Sequence, residues 1–594
     1  AVTPVFYISK EGLIVADRKP STISREERRV CAVRLYLKVA LRCNMPGQIG
    51  HWKGPPPPER TYREFVLPAW QQNANKVAAI DVKSAKELTF AQLEEHVVCL
   101  AGALQAIGVA SGRRVQFFAY SSINALVAQQ AAFFCNATVF AYKTCKSTKY
   151  NEYRFHTVEA DIEYVLTDAV NYDMAVHEFL LDRDCHIKKV ILVAGTPSKP
   201  TPANVVVTLD QLNKAPYKPP VGVRVREDTL IVSYTSGSTG PPKGAMHSNY
   251  SFVASLYALG AESMRCCLPS DRFLLLSSLW YVSGTIFSSV MLAYGGTVIL
   301  ASHDVVADLP VFVDRYQATV LLLVECPMKA LMANTYRYPN RRDLLASLRV
   351  VLAGGTVFSE QLRKETTDFF GGKMFRHVFG MTEAFGMIAI SEVCFVFPTH
   401  VGFIAANFEA KVVNDEGQPV EVGEPGELLW RGLQMTQGYW KRSTDEDITA
   451  DGYFATGDVA IVDDKGRLLI VGRTKHLINC MDARVMPTEI ENVLLAHPAV
   501  REAVVVGIPH AVVKEAPTAL VVLDSTFGPS DNVEQLRQDL VQVVASQLSK
   551  HKHLHGGVHV VERLERTDTG KYARPLIRKR ALGLVGVEDR RPSK

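Results

Sequence analysis

The chain has 594 residues, 47% hydrophobic and 21% charged, with 39 Gly and 30 Pro, a globular composition long enough for several domains that argues against a disordered, collagen-like or coiled-coil protein. The net charge of +5 is slight for this length and offers no concentrated basic face for nucleic acid. Eleven cysteines without a C-x-x-C pair argue against a disulfide framework or zinc ribbon and for a reducing, intracellular setting.

In chain order, residues 1–58 read as an N-terminal appendage. They are basic and mixed, lack the apolar core of a signal peptide in residues 1–30, and carry one expected helix over 29–42. They end at the proline run 55–58, which can be neither helix nor central strand. From Thr89 the texture is regular. Helical spacing over 93–107 stops at Gly108, 114–119 is a strand, and 124–135 is a helix with Asn124 as its expected N-cap. Short apolar strands follow at 164–166 and 189–193. Residues 273–302 carry no charged side chain and are long enough to suggest a membrane span. Their interior reads otherwise: strand 273–279, small-residue helix 283–294, a turn at Gly295-Gly296 and strand 297–301, a βαβ piece buried on both faces. No membrane span is therefore expected. The alternation predicts an α/β protein with largely parallel sheets. After Gly426 shorter strands at 427–431, 459–462 and 467–471 take over. Helix 488–495, strand 502–506 and helix 533–548 then form a small α+β unit.

The densest local signal follows the apolar strand 230–233. Tyr234, Thr235, Ser236, Gly237, Ser238, Thr239, Gly240, Pro241, Pro242, Lys243 and Gly244 stand in unbroken succession. Such a loop is flexible, rich in N–H and O–H donors, and carries one ammonium, which suits the phosphates of a nucleotide. Pro242 stands where a Walker A loop needs glycine, and no G-x-S-x-G elbow is present, so neither a P-loop NTPase nor an α/β-hydrolase is indicated.

The loop resembles the phosphate loop of the adenylate-forming superfamily of acyl-CoA synthetases, peptide-synthetase adenylation domains and beetle luciferases. Further motifs resembling that superfamily follow in its order. They are Gly354-Gly355-Thr356; Phe379-Gly380-Met381-Thr382-Glu383; Gly426-Glu427-Leu428 with Gly438-Tyr439; Thr456-Gly457-Asp458; Gly472-Arg473; and Thr569-Gly570-Lys571 with Arg574. The likeness runs from 89 to 581 and points to the acyl/aryl-CoA synthetase branch, of 4-coumarate-CoA ligase type.

That resemblance implies a large AMP-binding domain over 59–474, of mixed sheets sandwiched by helices plus a small β-barrel-like part, and a small mobile α+β domain over 475–594. It implies ATP, Mg²⁺ and CoA, with a small carboxylic acid as substrate. Thr235 to Gly240 and Lys243 would hold phosphates. Gly354, Gly355, Phe379 and Gly380 would face adenine, and Asp458 and Arg473 the ribose. Thr382 and Glu383 would serve catalysis, Glu383 as the metal ligand. Lys571 would bind the negative charge that builds as a carboxylate meets the α-phosphate. Lys475 takes the hinge position, and Tyr281, Val282 and Met381 line the acid pocket.

Two departures from the family pattern stand out. Met481-Asp482-Ala483-Arg484 replaces Ser-Gly-Tyr/Phe-Arg, putting a carboxylate where backbone should approach the pantetheine arm. Tyr281 stands where the family often has His. The rival expectations are an adenylating enzyme with another acceptor, a carrier protein or oxygen, and a non-catalytic binding homologue. Pro592-Ser593-Lys594 stops short of the Ser-Lys-Leu address, so a cytoplasmic setting is expected, with the peroxisome as the alternative.

Overall fold

The computed structural model describes residues 6–9, 12–15, 48–49, 56–142, 150–235, 242–260, 267–405, 407–444, 447–481, 483–524, 532–567 and 571–587. The helix expected at 29–42, the loop residues Ser236, Gly237, Ser238, Thr239 and Gly240, Asp482, and Thr569-Gly570 lie outside the described residues.

Three helices set the centre of the large domain. Tyr62–Gln72 begins at a reciprocal cap between Thr61 and Glu64 and buries Tyr62, Val66 and Trp70, one stripe at four-residue spacing. Phe90–Ala106 is capped the same way by Thr89 and Gln92. The helix Ile123–Phe134 is buried on every side except at Asn124. Its cap is Ser122, whose hydroxyl accepts the Ala125 N–H, and not Asn124 as the sequence suggested. Asn124 lies in the first turn, and its side-chain amide donates to the Val193 carbonyl at 2.8 Å.

Two sheets flank these helices. The first has seven strands in the order Val206–Thr208, Lys189–Ala194, Tyr164–Asp168, Arg114–Phe118, Thr138–Ala141, Thr229–Tyr234 and Gly244–Ser248, parallel except for the last. The second has nine: Phe403–Ile404, Gly386–Ile390, Met374–Met381, Val350–Gly354, Val320–Leu323, Arg272–Leu275, Thr297–Leu300, Val77–Asp81 and Lys86–Thr89. Its middle is parallel and both ends are antiparallel. The uncharged stretch resolves into strand Arg272–Leu275, helix Val282–Ala293 and strand Thr297–Leu300, the two strands pairing in parallel. Among the described residues no helix is long and apolar enough to cross a membrane.

A third, antiparallel sheet stands where the small barrel-like part was expected. Its order is Leu468–Arg473, Phe454–Val462, Pro425–Gly432, Phe408–Val413 and Gln48–Ile49. The outermost strand thus comes from the segment read as an appendage, which also forms the hairpin Phe6–Ser9 with Gly12–Val15.

The C-terminal domain has its own sheet, Ala483–Val485, Ile478–Cys480, Lys514–Leu523 and Val500–His510, with Val558–Val560 added in parallel. The helices Pro487–Leu495, Val533–Gln547 and Arg574–Val585 cover it. Ile490, Leu494, Val504, Leu520, Leu540 and Ile577 belong to a core of its own. Only the short helical turn Thr474–His476 leads from the third sheet into this domain.

Candidate active site

The segment expected to hold phosphates connects two strands of a hairpin. Strands Thr229–Tyr234 and Gly244–Ser248 run antiparallel, and the loop between them is closed at its base by two hydrogen bonds. Thr235 N–H donates to the Lys243 carbonyl at 2.9 Å, and Lys243 N–H to the Thr235 hydroxyl at 3.1 Å. The Lys243 ammonium pairs with Asp447 at 3.0 Å and lies 4.6 Å from the centre of the Tyr439 ring.

Glycines shape the neighbouring ledge because nothing larger fits. A Cβ on Gly354 would lie 2.5 Å from the Val378 carbonyl oxygen, and Gly355 has φ +86°. A Cβ on Gly380 would lie 2.1 Å from the Gly386 carbonyl oxygen, at a bulge in the pairing of the two strands. Phe379 is half-buried beside it, and Thr382–Ala384 closes the turn.

Glu383 in that turn is buried, and its Oε1 accepts from the Tyr439 hydroxyl at 2.7 Å. Burial pushes its carboxyl pKa up, opposed first by the Tyr439 hydrogen bond. The Thr382 carbonyl meets His247 Nε2 at 2.9 Å. Burial pushes the fully enclosed His247 imidazole down to about 3, so it is neutral and its Nε2 is the donor. The other nitrogen, Nδ1, is buried without a hydrogen-bond partner.

Asp458 and Arg473 pair across adjacent strands, Oδ1 to Nε at 2.7 Å. Arg473 also donates to the Thr456 carbonyl at 3.0 Å. Asp458 Oδ2 is buried with no hydrogen-bond partner. Burial raises this carboxyl to about 6, with Arg473 and Lys571 opposing. Lys475 follows on the connecting turn, its ammonium pushed down to about 8, chiefly by burial and then by Arg473.

Lys571 reaches the same place from the other domain. Burial and Arg473 push its pKa down, while Asp458 and Glu325 hold it up. Lys571 is nevertheless exposed to solvent, so these effects are screened.

Of the residues expected at the acid pocket, Tyr281 and Val282 stand at the start of the helix Val282–Ala293. Tyr281 occupies its N-cap position, and a Cβ on Gly284 would lie 1.9 Å from the Ser278 carbonyl oxygen. The Tyr281 ring meets Trp280 edge-on at 5.6 Å, and burial raises its phenol pKa. Met381 turns toward the third sheet, where Trp430 Nε1–H points at its sulfur at 3.2 Å.

The structure therefore brings Lys243 and Glu383 together about Tyr439, with Thr382 beside them, and sets Asp458, Arg473, Lys475 and Lys571 close enough to act on one another, with Glu383 within their electrostatic reach. Sequence reasoning missed Asp447, His247 and Glu325. Asp447 and Glu325 follow no motif, and His247 lies just past one, four residues after Lys243.

A glycine-shaped ledge, a donor-rich hairpin and a lysine delivered from a second domain define a nucleotide-using, adenylate-forming enzyme. A model of the AMP-binding enzyme family matches residues 68–440, and one of the AMP-binding enzyme C-terminal domain matches 489–571. The chain belongs to the AMP-binding enzyme family. It is 25% identical over 535 residues to the peroxisomal OPC-8:0-CoA ligase 1 of Arabidopsis thaliana, covering 88% of this chain and 93% of that one. It is 27% identical over 409 residues to the probable 4-coumarate–CoA ligase 1 of Dictyostelium discoideum, 65% of this chain and 72% of that one. Its fold is that of ATP-bound MatB from Rhodopseudomonas palustris, with a TM-score of 0.74 at 22% identity over 89% of this chain and all of that one.

Proposed function

We propose that the protein is an AMP-forming acid–CoA ligase. In the first step an oxygen of the substrate carboxylate bonds to the α-phosphorus of ATP and the bond to pyrophosphate breaks. In the second the CoA thiol attacks the acyl carbonyl, loses its proton, and AMP leaves. The observation that carries this reading is the convergence of Asp458, Arg473 and Lys571 from two domains, with Asp458 Oδ2 buried and unpartnered. A buried acceptor with no donor is matched by a hydroxyl pair such as that of a ribose. Lys571 can then stabilise the charge shared by carboxylate and α-phosphate.

Among the described residues no three His, Cys, Asp or Glu side chains converge into a metal site. This fits a Mg²⁺ carried by ATP phosphates and steadied by one carboxylate, Glu383, as this ion commonly is. When bound it would neutralise the phosphates. Tyr439 aims the Glu383 carboxylate, and Asp447 restrains Lys243 beside it.

The domain boundary falls at 474, with 59–474 as the AMP-binding domain, 475–594 as the mobile one, and Lys475 as the hinge. A separate core on each side of the turn supports this division. A cytoplasmic setting remains the reading for location, and the peroxisome its alternative. A second acceptor chemistry is kept because Asp482 departs from the family pattern and because the amide bond synthetase McbA from Marinactinospora thermotolerans shares the fold at a TM-score of 0.72. Pyrophosphate release and AMP formation across a panel of acids, with and without CoA, test the proposal. CoA-dependent thioester supports it; acyl-adenylate that CoA leaves untouched favours the second reading, and a protein that does not bind ATP overturns both.

A further inference from the structure

Lys571 sits on one arm of a short hairpin. Thr567 N–H donates to the Lys571 carbonyl at 2.7 Å, Ala573 N–H to the Glu565 carbonyl at 2.8 Å, and Arg566 bridges Tyr572 in antiparallel register. The next side chain, Tyr572, is held within its own domain. Its hydroxyl donates to Glu502 at 3.1 Å, and the Arg566 guanidinium, paired with Glu502 at 2.6 Å, lies 4.3 Å from its ring centre. From the large domain, Lys329 reaches the same phenol. Its ammonium is 3.4 Å from the Tyr572 oxygen and 5.4 Å from the ring centre. Lys329 is itself steadied one turn along its helix by Glu325 at 2.7 Å. That helix, Glu325–Ala333, begins just after strand Val320–Leu323 of the nine-stranded sheet, two strands from Met374–Met381.

We propose that Lys329 and Tyr572 are positioning residues for the adenylating step, docking the hairpin onto the helix Glu325–Ala333 so that Lys571 is held at the reaction centre. Glu502 and Arg566 already brace Tyr572, so the hairpin keeps its shape without Lys329; what is lost is its anchorage to the large domain. The contact ties to the large domain the hairpin that carries Lys571, the residue assigned to adenylation. Its loss therefore falls on one half-reaction. The inference rests on the ligase reading above.

The test compares Lys329→Met, Lys329→Arg, Tyr572→Leu and the Lys329→Met/Tyr572→Leu double variant with the unaltered protein. Lys329→Met and Tyr572→Leu should each slow acyl-adenylate formation about tenfold, the scale of one cation–π or charged hydrogen bond at a solvated site. Thioester formation from supplied acyl-adenylate should be unchanged or faster. Lys329→Arg should restore most of the rate, and the double variant should be no slower than the worse single one. Hydrogen exchange of peptides covering 565–573 should rise in Lys329→Met at an unchanged unfolding temperature. Equal losses in both half-reactions, additive losses, or unchanged exchange would overturn the proposal. An unaltered protein that forms no acyl-adenylate would overturn the ligase reading alone, while the exchange comparison still decides the docking.

Discussion

Asp458→Asn separates the cost of a buried charge from its use. The carboxyl is raised from the ordinary 3.8 to about 6, which places an ionisation cost of about 3 kcal/mol on the folded protein at neutral pH. Below about pH 4 the group is protonated in both folded and unfolded chains and the cost vanishes. Between about pH 4 and 6 the unfolded chain ionises first, so stability falls as pH rises, and above that window the deficit is constant. Asn keeps the shape and removes the charge, and because the raised value is already net of the Arg473 attraction, up to about 3 kcal/mol should return as stability at pH 7. The gain should fall to about a third of that at pH 4.5. The same change should weaken ATP binding by about 10–100-fold, because hydrogen bonds to a charged acceptor contribute about 1.5–3 kcal/mol. Thermal unfolding of both proteins at pH 4.5 and 7, read as their difference, isolates this group from others titrating in the window. Calorimetric titration with a non-hydrolysable ATP analogue gives the affinity. A variant less stable at pH 7 and equally tight for nucleotide would refute the reasoning on both counts.

Lys571→Ala should lower acyl-adenylate formation about 10²–10³-fold while sparing thioester formation from supplied adenylate; stopped-flow pyrophosphate release checks the first step, and equal losses in both would remove Lys571 from its role. Glu383→Gln keeps the size and the Tyr439 contact but loses the charge, so turnover should fall and half-saturation should need more Mg²⁺; a magnesium titration with an unchanged midpoint would exclude it as a ligand. Gly380→Ala places a methyl group against the Gly386 carbonyl and should cost about 1–3 kcal/mol in denaturant unfolding, as overpacking usually does. An unaltered midpoint would mean that the bulge yields freely.

Much of the scaffold was legible because its signals are local. The strand, helix and strand around Gly295-Gly296 followed from apolar runs and one turn, and the nucleotide motifs from their order. The cap at Ser122 was misplaced because two cap-forming residue types stand two positions apart, and spacing alone did not choose between them. What stayed hidden is contact between distant segments. Lys243 and Asp447 lie 204 positions apart, and Lys329 and Tyr572 lie 243 apart. No periodicity links such pairs; only the closing of sheets and the docking of a second domain do. Asp447 and Lys329 belong to no motif, and each meets its partner only in the folded chain.

The two-residue strand Gln48–Ile49 acts as a bumper. It borders Phe408–Val413 on the rim of the five-stranded sheet, with Ile49 opposite Ala410 and Gln48 opposite Lys411. A shortened version starting after the proline run would retain every residue proposed for the nucleotide site, yet it would strip that border. The exposed rim would offer a row of unsatisfied N–H and C=O groups to any passing strand, including another copy of itself. Light scattering of such a version should show slow, concentration-dependent clumping in a protein whose chemistry is otherwise intact. The strand Gln48–Ile49 would then matter for keeping molecules apart, a duty quite separate from turning over substrate.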